Sequence, residues 1–117
     1  MKFEDGVTGP AVVVSVQGRV DATTAELFEA HCRRQMTERN RQSLVLDLAT
    51  VEYLSSAGLR SILSLGKQTR AAGGRLVLCG LQGNVLEIFQ IAGFLELFPV
   101  AANLEQAVGL AMGPNPR

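Results

Sequence analysis

Short apolar runs alternate with longer segments whose apolar residues recur at helical spacing. Three runs have the length of a strand: 11–17 (AVVVSVQ), 43–48 (SLVLDL) and 75–80 (RLVLCG). The second and third are apolar at nearly every position, which is typical of strands with both faces of the sheet covered. A weaker strand, marked by Pro99, is predicted over 95–100.

Helical spacing predicts four helices, over 22–36, from the serines at 55 and 56 to Gly73 and Gly74, over 84–92 and over 104–112. In the first helix, Thr23 and Glu26 have the spacing of a capping box. The apolar stripe of that helix consists of Ala25, Phe28, Cys32 and Met36.

The elements alternate, and this order predicts an α/β domain with a largely parallel sheet. We expect a mixed central sheet of about four to five strands with four helices. At 117 residues the chain is the size of one domain. We therefore predict a single domain over 1–117, with its core over about 11–112 and a flexible tail over 113–117.

The composition limits the classes of protein to which this chain can belong. Hydrophobic residues make up 47% of the chain and charged residues 19%, which is the balance of a folded domain. Eleven acidic and eleven basic residues cancel, so nucleic-acid binding is not indicated. No apolar run approaches the ~20 residues that span a bilayer, and Glu4 and Asp5 interrupt any signal peptide. We expect a cytoplasmic protein, in which Cys32 and Cys79 are reduced and buried.

The sequence carries little recognisable catalytic chemistry. Its single histidine, His31, falls within the first predicted helix and is expected to be a packing or surface residue. No metal-ligand cluster, phosphate-binding glycine loop or GxSxG motif occurs. We expect no enzyme, no metal and no cofactor. A small hydrolase that uses Ser56 would lack a nearby general base.

The loop from Tyr53 to Arg60 (YLSSAGLR) joins a buried strand to the second helix. Two interpretations of its serines remain open. A serine there can cap the helix by accepting a hydrogen bond from a first-turn N–H group. The same free N–H groups and the positive helix end also tolerate an anion, so a phosphate there would not melt the helix.

A polar ridge extends along the second helix from this loop. Ser56, Arg60, Ser64 and Lys67 are four, four and three residues apart and therefore share one face. The apolar positions opposite them are Leu59, Ile62, Leu63 and Gly66. The ridge is either a docking surface or an ordinary solvated helix face.

Five segments, spread over roughly 12–110, resemble the STAS domains, and among them the stand-alone anti-sigma factor antagonists of bacteria. The segments are 18–21 (GRVD), 44–48 (LVLDL), 54–59 (LSSAGL), 73–78 (GGRLVL) and 85–94 (VLEIFQIAGF).

The resemblance implies partner switching. The unphosphorylated antagonist binds an anti-sigma factor that is also a serine kinase, and a sigma factor is released. The kinase then phosphorylates the loop serine with ATP, and a PP2C-type phosphatase restores the active form.

The resemblance also implies roles for individual residues. The phosphate acceptor falls on Ser56, with Ser55 as the alternative, and the acid bordering the kinase contact falls on Asp21. Asp21 is equally interpretable as an N-cap of the first helix. Ser55 and Ala57 depart from the family pattern, which often has Asp and a second Ser or Thr there. The predicted partner surface comprises Asp21, Ser55, Ser56, Ala57, Gly58, Arg60, Ser64 and Lys67.

One alternative function shares the fold. A constitutive STAS subunit of a lipid or anion transporter would have the same elements and would not use the serine. Co-purification with a kinase or with a transporter discriminates between the two. A monomer is the simplest expectation.

Overall fold

A computed structural model describes residues 1–112 as a five-stranded sheet with four helices. The predicted flexible tail, 113–117, lies outside the described residues. The strands lie side by side in chain order, with β1 antiparallel to β2 and all other neighbours parallel. The elements are β1 (Lys2–Thr8), β2 (Ala11–Val20), α1 (Ala25–Glu38), β3 (Ser43–Leu54), α2 (Ser56–Ala71), β4 (Leu76–Cys79), α3 (Gly83–Ile91), a short 3-10 helix (Phe94–Glu96), β5 (Val100–Ala101) and α4 (Leu104–Met112).

The helices are divided unequally between the two faces of the sheet. Helices α1, α2 and α3 pack on one face, where Phe28, Ile62 and Phe89 are fully buried against the strands. Helix α4 alone packs on the other face, where Ala107 meets Val45 and neighbouring side chains. The alternating side chains of β2 and β3 therefore enter two different cores, and this explains their continuous apolar runs. The predicted α/β class and mixed sheet are confirmed.

Two strands are longer than their apolar runs predict. β3 continues beyond residue 48 to Leu54, and β2 continues to Val20. The pairing between them shifts register twice, once on each side of Gly18, as it does at a β-bulge. The extra residues are more polar, but Leu54 and Val20 pair directly and both are buried.

The first strand, β1, was not predicted. It pairs with β2 along its whole length and precedes the predicted core. Phe3 packs against the main core, and its ring stacks on that of His31, with ring centroids 3.8 Å apart. His31 Nε2 also lies 2.8 Å from a carboxylate oxygen of Asp5. His31 is thus a packing residue that attaches β1 to α1.

The predicted strand over 95–100 is mostly wrong. Gly93 has a φ of 76°, a left-handed conformation that ends α3 and turns the chain. Residues Phe94–Glu96 then form a 3-10 turn, in which Phe94 buries its ring edge-on against Phe89. Only Val100–Ala101 pairs with β4 as a strand, and the contact with the sheet begins at the Pro99 carbonyl oxygen, which accepts a hydrogen bond from the Leu78 N–H.

Both cysteines are buried and free, as predicted. Burial raises the pKa of the Cys32 thiol and raises that of Cys79 to about 11. Both side chains therefore remain protonated at neutral pH and behave as small apolar groups.

Candidate functional site

The serine loop lies where β2 and β3 end side by side. These strands are parallel neighbours, so their carboxyl ends meet at one edge of the sheet. The Ser55 N–H donates to the carbonyl oxygen of Val20 at 2.9 Å. This bond joins the end of β3 to the residue before Asp21, and two segments that are far apart in sequence form one surface.

The two serines of the loop occupy different positions. Ser55 is the N-cap of α2, and its half-buried hydroxyl accepts a hydrogen bond from the Gly58 N–H at 3.3 Å. Ser56 is the first residue of α2 and is exposed. Within residues 1–112 no hydrogen bond involves the Ser56 side chain. Ser55 thus fits the interpretation as a helix cap, and Ser56 has the exposed position that the interpretation as a phosphate acceptor requires.

Gly58 is buried between α2 and the strand ends, although the sequence predicted it on the partner surface. A Cβ there would lie 2.6 Å from Leu54 Cδ1 and 3.0 Å from the carbonyl oxygen of Val20. Its role is therefore to let the first turn of α2 approach the sheet closely. The neighbouring Ala57 is half-buried and packs against the core.

Asp21 is partly exposed beside this loop, and its carboxylate faces its own turn. One oxygen accepts from the Thr23 N–H at 2.9 Å and from the Thr23 hydroxyl at 2.7 Å. These bonds to Thr23 are the largest cause that lowers the pKa of Asp21, so the carboxylate is ionised at neutral pH.

The predicted capping of α1 is wrong. The helix begins at Ala25, and its N-cap is Thr24, which makes no side-chain cap bond. Thr23 donates its hydroxyl to Asp21, so no capping box with Glu26 forms. Asp21 is not the N-cap either, because an Asx turn holds its carboxylate three residues before the helix cap.

The STAS domain family matches residues 2–107 of the chain. A protein of Bordetella bronchiseptica named as an anti-sigma factor antagonist, BtrV, is 42% identical over 91% of this chain and 90% of its own. The chain belongs to the STAS domain family.

Solved structures have the same fold. An anti-sigma factor antagonist from Mycobacterium paratuberculosis superposes with a TM-score of 0.80 at 23% identity, covering 96% of this chain and 94% of its own. The Bacillus cell fate determinant SpoIIAA in its phosphorylated form has a TM-score of 0.71 at 20% identity, covering 93% and 98%. At these identities the likeness establishes the STAS fold.

The predicted ridge of this STAS domain is only partly an outer surface. Ser56, Arg60 and Lys67 are exposed on α2. Ser64 is half-buried, and its hydroxyl lies 2.9 Å from a carboxylate oxygen of Glu29 on α1. Ser64 therefore belongs to the contact between two helices. The buried face of α2 therefore differs from the predicted set of Leu59, Ile62, Leu63 and Gly66. It consists of Gly58, Ser61, Ile62, Leu65 and Thr69.

An exposed residue pair beside the loop was missed. The Arg19 guanidinium lies 4.5 Å from the centre of the Tyr53 ring, a cation–π contact, and its Nε is 3.8 Å from Asp21. The register of β2 and β3 sets Arg19 opposite Tyr53. No local pattern indicates this pair, because it depends on the register shift between distant segments.

Within the part of the chain that the structure describes, the serine loop takes part in no catalytic arrangement like that of a serine hydrolase. Across residues 1–112 the Ser56 hydroxyl has no hydrogen-bonded base, and His31 is bound to Asp5. Those same residues contain no group of three His, Cys, Asp or Glu side chains that could hold a metal ion. Among the helices within residues 1–112, none contains an apolar stretch that could span a bilayer.

Proposed function

We propose that this STAS domain is an anti-sigma factor antagonist that is switched by phosphorylation of Ser56. Unphosphorylated, it binds an anti-sigma factor that is also a serine kinase, so that a sigma factor is released. Phosphorylation by that kinase weakens the complex, and a PP2C-type phosphatase reverses the modification. The chain acts in the cytoplasm as a monomer and has no catalytic activity of its own.

This proposal depends on the difference in exposure and hydrogen bonding between the two serines. The Ser56 hydroxyl is exposed and has no partner within residues 1–112, so a kinase can reach it without disturbing the fold. The Ser55 hydroxyl is already bonded to the first turn of α2. This difference favours Ser56 as the acceptor over its neighbour.

The position of Ser56 also indicates how the switch acts. At the first residue of α2, free backbone N–H groups and the helix dipole favour a negative group. A phosphate adds about 1.5 to 2 negative charges there without melting the helix. Its effect therefore falls on the bound partner, through charge repulsion and steric bulk.

The test is phosphorylation by the chain's own anti-sigma factor/kinase, isolated from its cells with the tagged protein. We expect ATP to add one phosphate, which mass spectrometry of peptides places on Ser56. Ser56→Ala should abolish labelling, whereas Ser55→Ala, the matched control, should still be labelled. Full labelling of the Ser56→Ala protein, or co-purification of a transporter in place of a kinase, would contradict the proposal.

A further inference from the structure

The outer face of α2 carries positive charge that nothing in the described structure neutralises. Arg60, Lys67 and Arg70 are all exposed, and the helix Ser56–Ala71 contains no acidic residue. Within residues 1–112 none of the three forms an ion pair. In contrast, Arg33 on α1 pairs with Glu29 on the same helix. Three unpaired cations on one helix face favour an acidic partner.

An apolar groove opens on this same face. It lies between the second half of α2 and the segment that follows the 3-10 helix, and it has a volume of about 220 Å³. Leu63 and Phe98 are half-buried in it, whereas Leu97 is 51% exposed. The groove is lined by Leu63, Gly66, Lys67, Arg70, Leu97 and Phe98.

Gly66 brings the two walls of the groove together. A Cβ at this position would lie 2.3 Å from Cε1 of the Phe98 ring, so the ring rests directly on the backbone of α2. The ring is also packed against Phe94, with centroids 5.9 Å apart. The groove is therefore a formed feature with a fixed aromatic wall. A cavity of about 150 Å³ lined by apolar side chains is large enough to hold benzene.

The groove is continuous with the surface around the switch serine. Ser56, Arg60, Leu63, Lys67 and Arg70 follow one another at spacings of four, three, four and three, so they form one stripe along α2. Leu63 and the two distal cations line the groove, while Arg60 lies one turn from Ser56. A partner that contacts Ser56 and follows this stripe reaches the groove.

We propose that the groove seats a large apolar side chain of the anti-sigma factor/kinase, flanked by acidic residues that pair with Lys67 and Arg70. This inference rests on the proposed function and names a second contact for the same partner. The apolar side chain supplies binding that phosphorylation does not directly remove. The flanking acids make the contact selective for a partner of matching charge.

The test is photo-crosslinking in the organism's own cells, with a benzophenone amino acid at one position at a time. Leu97 reports on the groove and Arg60 on the surface beside Ser56. The matched control is Leu110, a leucine of similar exposure (40%) on α4, across the sheet. We expect positions 97 and 60 to crosslink to the same ATP-binding kinase and position 110 to give no such product.

The outcomes separate the two proposals. A kinase adduct at position 60 and none at 97 would overturn the groove and leave the switch intact. No kinase adduct at either position would overturn both. Adducts from position 97 to a second copy of the chain, or to a membrane lipid, would also overturn the groove as a kinase contact.

Binding measurements with the crosslinked kinase provide the second readout. Leu97→Glu and Lys67→Glu should each weaken binding of the unphosphorylated chain by about tenfold, while Leu110→Glu leaves it unchanged. The weakening by Lys67→Glu should shrink at high salt, since its source is charge. Unchanged affinity in both groove variants, with circular dichroism showing that they are folded, would refute the contact.

Discussion

At the scale of single residues, the geometry of the serine loop depends on a glycine, Gly58. Gly58 lets the first turn of α2 touch the ends of β2 and β3, and this contact sets where the two serines lie. The atoms that a Cβ would meet belong to the side chain of Leu54, which is 2% exposed, and to the fully buried side chain and the carbonyl oxygen of Val20. Neither can move aside easily in a close-packed core.

Gly58→Ala should therefore destabilise the protein by about 1–3 kcal/mol, the usual cost of overpacking a core. Urea unfolding followed by circular dichroism measures this loss. The control is Gly109→Ala on α4, where a Cβ meets nothing within 4 Å. That substitution should stabilise the helix by up to about 1 kcal/mol. Equal effects of the two substitutions would mean that close packing at position 58 is not the cause.

At the scale of the element, two successive serines at the start of α2 have different environments. Ser55 caps the helix with its hydroxyl, whereas Ser56 is exposed. Ser55 has the extended conformation of an N-cap, with φ −89° and ψ 175°, and Ser56 already lies in the helix. A serine pair before an apolar periodic segment is a strong helix-start signal, so the start of α2 was predictable. The sequence could not predict which of the two hydroxyls caps the helix, because this depends on how the helix meets the sheet.

Substitution of the two serines should affect stability differently. Ser55→Ala removes the cap and should cost about 1 kcal/mol of stability. Ser56→Asp places a negative charge at the helix N-terminus and should be neutral or stabilise by about 0.3–1 kcal/mol. Thermal unfolding of the two variants beside the wild type measures both effects. A loss of stability in Ser56→Asp as large as that in Ser55→Ala would contradict an exposed, dipole-favoured site.

At the scale of the whole molecule, the sheet is completed by a strand that the hydrophobic pattern does not reveal. In β1 the apolar residues Phe3 and Val7 are four apart, and Glu4 and Asp5 separate them, so no alternation marks a strand. Its place is determined by pairing with β2 and by the stacked ring of His31. Such contacts involve residues distant in sequence and cannot be inferred from local spacing.

Other elements were predictable because their signals are local. The helix over 104–112 agrees with Leu104–Met112, and the buried strands around 44 and 77 follow from continuous apolar runs. The ridge on α2 was partly misassigned for a different reason. Helical spacing identifies a face but not its neighbours, and Glu29 of α1 binds Ser64 from across the helix interface.

Because Phe3 attaches β1 to the core, Phe3→Ala should lower the stability of the whole fold. It removes a half-buried ring from the core and the stacking partner of His31. We expect a loss of about 1–2 kcal/mol, less than for a fully buried phenylalanine. The control is Val7→Ala on the same strand, at a side chain that is 37% exposed. If chemical denaturation gave equal losses for both variants, β1 would not be attached through the Phe3–His31 stack.

The cap formed by Ser55 has a further consequence for fidelity. The Ser55 oxygen accepts a hydrogen bond from the Gly58 N–H and its residue is half-buried, so we expect a kinase to reach it less easily than the exposed Ser56. On the proposed switch, an enzyme that approaches the intact loop would find one hydroxyl more accessible than the other, even though the two adjacent residues are chemically identical. If the switch acts as proposed, the loop itself would favour one of the two hydroxyls, and the kinase would have less of that difference to recognise.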